Sequence, residues 1–525
     1  MPHRLTTIRR YKISNDVLIL ILGYLDPPTL WRACKAKCSG GRISIPQAFK
    51  RIYVTVMEYL PLYYLFELAM AGMKDGPVSH SYRPPVGRLD LLKSYRKDWP
   101  KLEWTHEYKM LIPTHARAGI TGGFLHQINV HGSQYTLDLA ELPSCRTSRP
   151  PALTRHLRFT TPQIENIAID RSQSLIVTSH LFSGQNGQIG VRLHLRELWT
   201  FGKHPRTSTV VYDFTAGSSR IANMSMIICG QKLIISIESA SGRMKHLLLN
   251  WRNLHARWFE DQDIHCLNEN YLLVVKRSRG LPVLNMYNIF DIAAVTVERE
   301  YQLPEHWSNA VIGFNQNTAP LTDNSASSEA LFYPDPSNRI LVITARTPPL
   351  GASHSLFRNW LFINESYFRP TSRRDRLSVP WDQWKEYCLI KDVSPSALIS
   401  DPCVIGSRVL YVESDSGRNP SRGGHPSGCA SRLTIIDFAP YPDASCHSNS
   451  VWPFVGKRSL LVPNENTRSV PSKTVDRLSI DDIRVTEDNI VLFLENRGNA
   501  RPVNILTFGV PVQTRSRHEM HSPQL

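Results

Sequence analysis

Apolar and polar residues follow two different periods along this chain, and the change from one to the other falls near Gly87. Ahead of it the spacing is helical. Val17, Leu18, Ile21, Leu22 and Leu25 occupy the i, i+1, i+4, i+5 and i+8 positions of one face, with Ser14 or Asn15 placed before them as an N-cap. Asp26 followed by Pro27 marks a second helix start: a side-chain acceptor precedes a residue whose missing N–H costs nothing in a first turn. Ile43 to Gly72 predicts two or three further helices, one opened by Pro61 and ended by Gly72. The most apolar part, Val56 to Met73, is interrupted by Glu58, Pro61 and Glu67, so it reads as a buried helix pair rather than a bilayer span. Residues 75–87 hold Gly76, Pro77, Pro84, Pro85 and Gly87 among polar residues and predict a linker.

Beyond the linker the alternation is that of strands, and one unit recurs. Its clearest copy is Asn166–Ile169, the polar turn Asp170–Ser174, the apolar run Leu175–Thr178 and a third strand from Val191 to Leu195. Similar turn-and-strand cores occupy 229–237, 267–275, 335–343, 404–412 and 485–494, each followed by another strand-like run, and a weaker seventh unit spans Met110 to Leu139. Small antiparallel sheets cannot each bury both faces alone. Arranged radially, they stack face to face and leave only short edges. Seven units therefore predict a seven-bladed β-propeller, with a pair of β-sandwiches or an irregular all-β domain as the alternative. This body resembles a WD-repeat propeller, although the Gly-His and Trp-Asp dipeptides of that family are missing. Residues 414–431, rich in Ser, Gly, Arg and Pro, predict an extended loop.

Composition narrows the function classes. At 525 residues, with 42% hydrophobic and 20% charged positions, the chain has room for more than one globular core. The net charge of +16 favours acidic partners, but Arg and Lys are scattered rather than gathered into a stripe, which disfavours nucleic-acid binding. The densest patch within the body, Arg369, Arg373, Arg374 and Arg376, is diluted by Asp375 and flanked by prolines, as in a solvated loop. Nine cysteines without regular spacing fit a reducing compartment, cytoplasmic or nuclear, and Cys34 and Cys38 lack a second pair at zinc-site spacing. There is no P-loop, Gly-x-Ser-x-Gly, His-Glu-x-x-His or dinucleotide glycine fingerprint, and His126 and His131 read as structural. No catalytic residue, metal site or cofactor is expected. Basic Met1 to Lys12 ahead of an apolar run imitates a secretory signal, but Asp16 splits the two parts and Asp26-Pro27-Pro28 stands where small cleavage-site residues belong. No membrane anchor is expected.

Ile13, Asp16, Val17, Leu18, Ile21, Leu22, Leu25, Asp26, Pro27 and Leu30 match the pattern of the F-box, which this segment resembles. The resemblance implies helices that hold the small SKP adaptor of a cullin-based ubiquitin ligase, with Ile13, Val17, Leu18, Ile21, Leu22, Leu25 and Leu30 as adaptor contacts. With a propeller behind it, the chain looks like a fungal type of F-box protein. The expected fold class is α+β multidomain: F-box-like helices over residues 1–40, a helical extension over 41–74, a linker over 75–100, the propeller over 101–510 and a disordered tail over 511–525. The role implied is that of a substrate-recognition subunit of an SCF-type ligase, which presents a target protein and does no bond chemistry. The alternative is a propeller scaffold without ligase activity, and a propeller hydrolase would need an ionisable cluster at the channel mouth.

Overall fold

In the computed structural model the two periods become two architectures joined by one shared core. It describes residues 14–35, 47–77, 85–132, 134–147, 153–184, 187–217, 220–260, 263–323, 326, 329–347, 357–369, 378–393, 398–414, 431–438, 472–475, 480–496 and 498–509. Among the described residues five helices come first: α1 (Asn15–Gly23), α2 (Pro27–Lys35), α3 (Gln47–Glu58), α4 (Leu60–Met70) and α5 (Pro85–Lys101). Ser14 caps α1, its Oγ accepting the Val17 N–H at 3.3 Å. Asp26 caps α2, accepting the Thr29 N–H at 3.0 Å and the Thr29 hydroxyl at 2.7 Å. Gly72, at a φ of +64°, ends the turn after α4 and leads into a short strand, β1 (Met73–Asp75).

The body is a ring of seven sheets, antiparallel throughout except that Ser378–Val379 joins the outer edge of blade 4 in parallel. Blades 1 to 3 span residues 117–161, 166–215 and 221–259, and blades 4 to 7 span 263–302, 311–393, 398–475 and 480–507. Blade 7 takes its fourth strand from the other end of the body: His106–Pro113 pairs with Ala500–Thr507, His106 lying opposite Thr507. Met110 therefore belongs to the last blade, and blade 1 begins at Arg117, which corrects the unit expected from Met110 to Leu139. Both stretches alternate alike, and only ring closure decides which sheet each joins. The near-continuous apolar strands follow from the stacking. Within one strand of blade 4, Leu272 and Val274 pack toward one seam while Leu273 and Val275 pack toward the next, so both faces are covered. Buried Cys229 of blade 3 and Cys266 of blade 4 are joined by a disulfide. These two cysteines are thus paired through a proximity set by blade stacking rather than by linear spacing.

The stretch expected as a linker over 75–100 instead contains α5. Its Pro- and Gly-rich part ends at Gly87, and Pro85 is the first residue of the helix, where proline fits. Leu89, Leu92, Tyr95 and Trp99 of α5 are buried in the same core as Leu410 and Leu433 of blade 6 and Ile490 and Leu506 of blade 7. Trp99 stacks on Phe508 with centroids 4.1 Å apart. Above them, Arg408 is paired with Asp437 at 3.2 Å, and its guanidinium lies 5.2 Å from the Tyr95 ring centre.

A second tie runs through an irregular insertion between the first two strands of blade 5, residues 316–339. Its Phe332–Pro334 pairs antiparallel with β1, which makes the helical unit part of the propeller's hydrogen-bonding network. Buried irregular backbone needs partners for its carbonyls, and arginines provide them. Arg88 of α5, fully buried, donates to the Leu331 carbonyl at 3.3 Å and to Asp75 at 2.8 Å. Arg146 donates to the Phe332 carbonyl at 3.3 Å and to Asp488 in a blade 7 turn at 3.2 Å. Arg339 binds the carbonyls of Asn317, Ala319 and Pro320 and pairs with Glu365 at 2.7 Å.

Removing one partner of a buried pair leaves the other charge uncompensated, so Arg88→Ala is expected to destabilise the protein by about 3 kcal/mol. The half-exposed Arg192–Asp213 pair on blade 2 provides the contrast: solvent screens it, so Arg192→Ala should leave stability close to that of wild type. Denaturation midpoints of the two variants, compared with wild type, check the difference.

Candidate functional site

The seven residues expected to contact an adaptor fall into distinct environments. Leu22 and Leu30 are buried, 3% and 0% exposed, in a core with Trp31, Val56, Phe66 and Met70. Leu18 and Leu25 are half-buried against the same core. Val17 and Ile21 are each 47% exposed, and Ile13 lies outside the described residues. Two further residues complete the exposed stripe: Leu20 at 60% and Tyr24 at 83%. Val17, Leu20, Ile21 and Tyr24 stand at i, i+3, i+4 and i+7, the spacing of one helix face. The sequence reading missed Leu20 and Tyr24 because α1 is apolar almost all round, so several faces fit its pattern. That feature was itself the signal, since a helix apolar on every side needs a partner on every side. Tyr53 and Val54 of α3 are also exposed, and α3 is tied to α1 by the hydrogen bond from Arg51 Nε to Asn15 Oδ1 at 3.0 Å.

The helical unit lies on one face of the propeller, the face formed by the turns at 171–173, 230–231, 268–270 and 486–489. Around the axis, the first strands of neighbouring blades are linked by polar side chains. Asp263 of blade 4 accepts the Ile264 N–H at 2.8 Å and, across the seam, the Phe314 N–H of blade 5 at 2.7 Å. Burial pushes its carboxyl up to about 6, against the opposing pull of those two donors. His126 of blade 1 is held down to about 4 by burial and by Arg484 and Arg117, so it is neutral. Its Nδ1 has no hydrogen-bond partner among the described residues.

His265 Nε2 lies 3.0 Å from Glu365, a pairing that hydrolases also use. Here it is a brace. Burial would raise the Glu365 carboxyl, but Arg339 and His265 outweigh it and hold it below its ordinary value. All three side chains are buried, and Arg339 spends its remaining donors on insertion carbonyls. Among the described residues no three His, Cys, Asp or Glu side chains are grouped to hold a metal ion, and no helix is long and apolar enough to cross a membrane. Arg369 of the basic patch is exposed, whereas Arg373, Arg374 and Arg376 fall outside the described residues, as do Cys38, most of the 414–431 loop and the 511–525 tail.

No protein-family model matches this sequence, and no curated protein matches it. Among solved structures, the chain is similar to the WD40 domain of SCAP from fission yeast, at 9% identity over 76% of this chain and 86% of that one, with a TM-score of 0.38. It is also similar to a post-proline cleaving enzyme from Rickettsia typhi, at 10% identity over 65% of this chain and 44% of that one (TM-score 0.34). Oligopeptidase B from Leishmania major matches at 9% identity over 73% and 44% (TM-score 0.31). The blade count rests on this chain's own strand pairing. The protein is a seven-bladed β-propeller with a helical unit built onto one face, an architecture compatible with a non-enzymatic scaffold.

Two titrations of opposite sign follow. Asp263 has a folded value near 6, above its ordinary 3.8, so between these values the folded state binds the extra proton and gains stability as pH falls. His126 stays neutral down to about 4, below its ordinary 6.5, so the unfolded state takes the proton first and stability falls with pH. On acidification from about pH 6 to about pH 4, the Asp263→Asn variant should therefore lose stability more steeply than wild type, and His126→Gln less steeply. Melting temperatures across that window read both slopes.

Proposed function

We propose that this chain is the substrate-recognition subunit of a cullin-based ubiquitin ligase, docking an SKP-type adaptor through its N-terminal helices and holding a target protein on the propeller. The observation that carries the reading is the exposed apolar stripe of α1 within a segment of F-box pattern. In this reading Val17, Leu20, Ile21 and Tyr24 touch the adaptor. Leu22 and Leu30 hold α1 and α2 on α4 from inside, Leu18 and Leu25 lie at the edge of the contact, and Ile13 extends it. The chain contributes no bond chemistry. Its contribution is geometric: a helical unit fixed to the propeller by α5 and the arginine ties would hold a bound target at a set distance from the ligase, raising its effective concentration.

Val17→Asp combined with Ile21→Asp puts two charges on the stripe while sparing the core, so the variant should keep the wild-type melting temperature and lose capture of the purified adaptor. Leu22→Asp, by contrast, buries a charge and should lower the melting temperature as well. A folded double variant that still captures the adaptor as wild type does would sink the ligase reading and favour an interaction scaffold.

A further inference from the structure

A cavity of about 650 Å³ opens where the helical unit meets blades 4 and 5. Four separate segments line it: the first turn of blade 4, the blade 5 insertion, the loop after the third strand of blade 5, and Lys74 of β1. Its size is within the range of ordinary ligand pockets. Three of the charges in its wall, Lys74, Asp323 and Glu365, are paired with one another or with residues behind the wall. Lys74 Nζ is 3.0 Å from Asp323 and 3.6 Å from Asp335, and Glu365 is held by Arg339 and His265.

Two charges lack a close partner. Glu269 and Arg369 both line the cavity, and among the described residues neither side chain makes an ion pair or hydrogen bond, while Lys232 and Arg252 act on the Glu269 charge from a longer distance. Glu269 is positioned rather than loose. Its carboxylate lies against Gly230, where a Cβ would fall 2.2 Å from Glu269 Cδ, and its own carbonyl accepts from Lys232 Nζ at 3.1 Å. Arg369 ends a turn whose start is capped by Asn364, which accepts the Ser366 N–H at 2.8 Å, and the Arg369 N–H closes that turn on the Ser366 carbonyl at 3.2 Å. One carboxylate and one guanidinium suit neither a polyanion nor a polycation. Tyr271 and Phe368 add apolar surface, and the amide and hydroxyl groups beside them suit a peptide backbone.

We propose that this cavity binds a short linear peptide segment carrying one basic and one acidic side chain, the basic group meeting Glu269 and the acidic group meeting Arg369 in a paired, charge-assisted contact. Glu269 and Arg369 belong to the propeller blades, and the site does not require the adaptor reading, so its test leaves the adaptor out. Fluorescein-labelled alanine peptides with one lysine and one glutamate, in both orders and separated by none to several alanines, are titrated into the full chain and followed by anisotropy. At least one register should bind roughly tenfold more tightly than its two versions in which the lysine or the glutamate is alanine. Glu269→Gln should erase the advantage of the lysine and leave that of the glutamate, and Arg369→Gln should do the reverse. Binding by no peptide of the set, or a charge advantage that survives both substitutions, overturns the proposal.

Discussion

Residues 316–339 cross the propeller face, and apart from the short ladder of Phe332–Pro334 with β1 their described backbone is irregular, so several buried carbonyls take side-chain donors. Three arginines fill that need: Arg88 from α5, Arg146 from a loop of blade 1, and Arg339 from the end of the insertion itself. Each guanidinium has donors to spare, so each also neutralises a carboxylate, Asp75, Asp488 or Glu365. A lysine could satisfy one carbonyl but not this fork of partners. The insertion is held by these contacts, β1 is held by the insertion, and the helical unit is held by β1.

Two kinds of force thus keep the helices on the ring. The apolar one is the core shared by α5 with blades 6 and 7, where Trp99 stacks on Phe508. The polar one is the arginine set, which adds little net energy for each pair but is costly to break singly. Polar contacts of this kind fix register, because a shifted insertion would leave both its carbonyls and the guanidiniums unmatched. Blade 7 imposes a similar discipline at larger scale: the ring closes only when His106–Pro113 finds Ala500–Thr507. The cavity beside Lys74 is a product of the same arrangement, since its walls come from helical unit, insertion and blades at once.

Much of this was legible along the chain. Ser14, Asp26 and Gly72 announced the helix ends through cap chemistry, which is local and therefore readable. The unit repeated from Asn166 onward foretold blades, because alternation over two strands and a polar turn is also local. The misreadings are those in which distant residues decide. Met110 alternates as blade 1 does, yet pairs with Val503. The stretch around Pro85 has a linker's composition, yet α5 finds an apolar seam to cover. On α1, the division of an almost uniformly apolar helix into buried Leu22 and exposed Leu20 depends on where α3 and α4 stand.

Period, capping and repeat thus determined that helices precede a body of repeated small antiparallel units, because each of those features is local, while the closing of those units into a ring and the number of blades were decided by strand pairing. Tertiary packing alone decided that the helices are built into the ring rather than tethered to it. It alone brought Cys229 to Cys266, Arg146 to Asp488, and Glu269 and Arg369 to one cavity. Those partners are far apart along the chain, and charge and hydropathy patterns carry no information about which distant residues the closing of the ring will bring together.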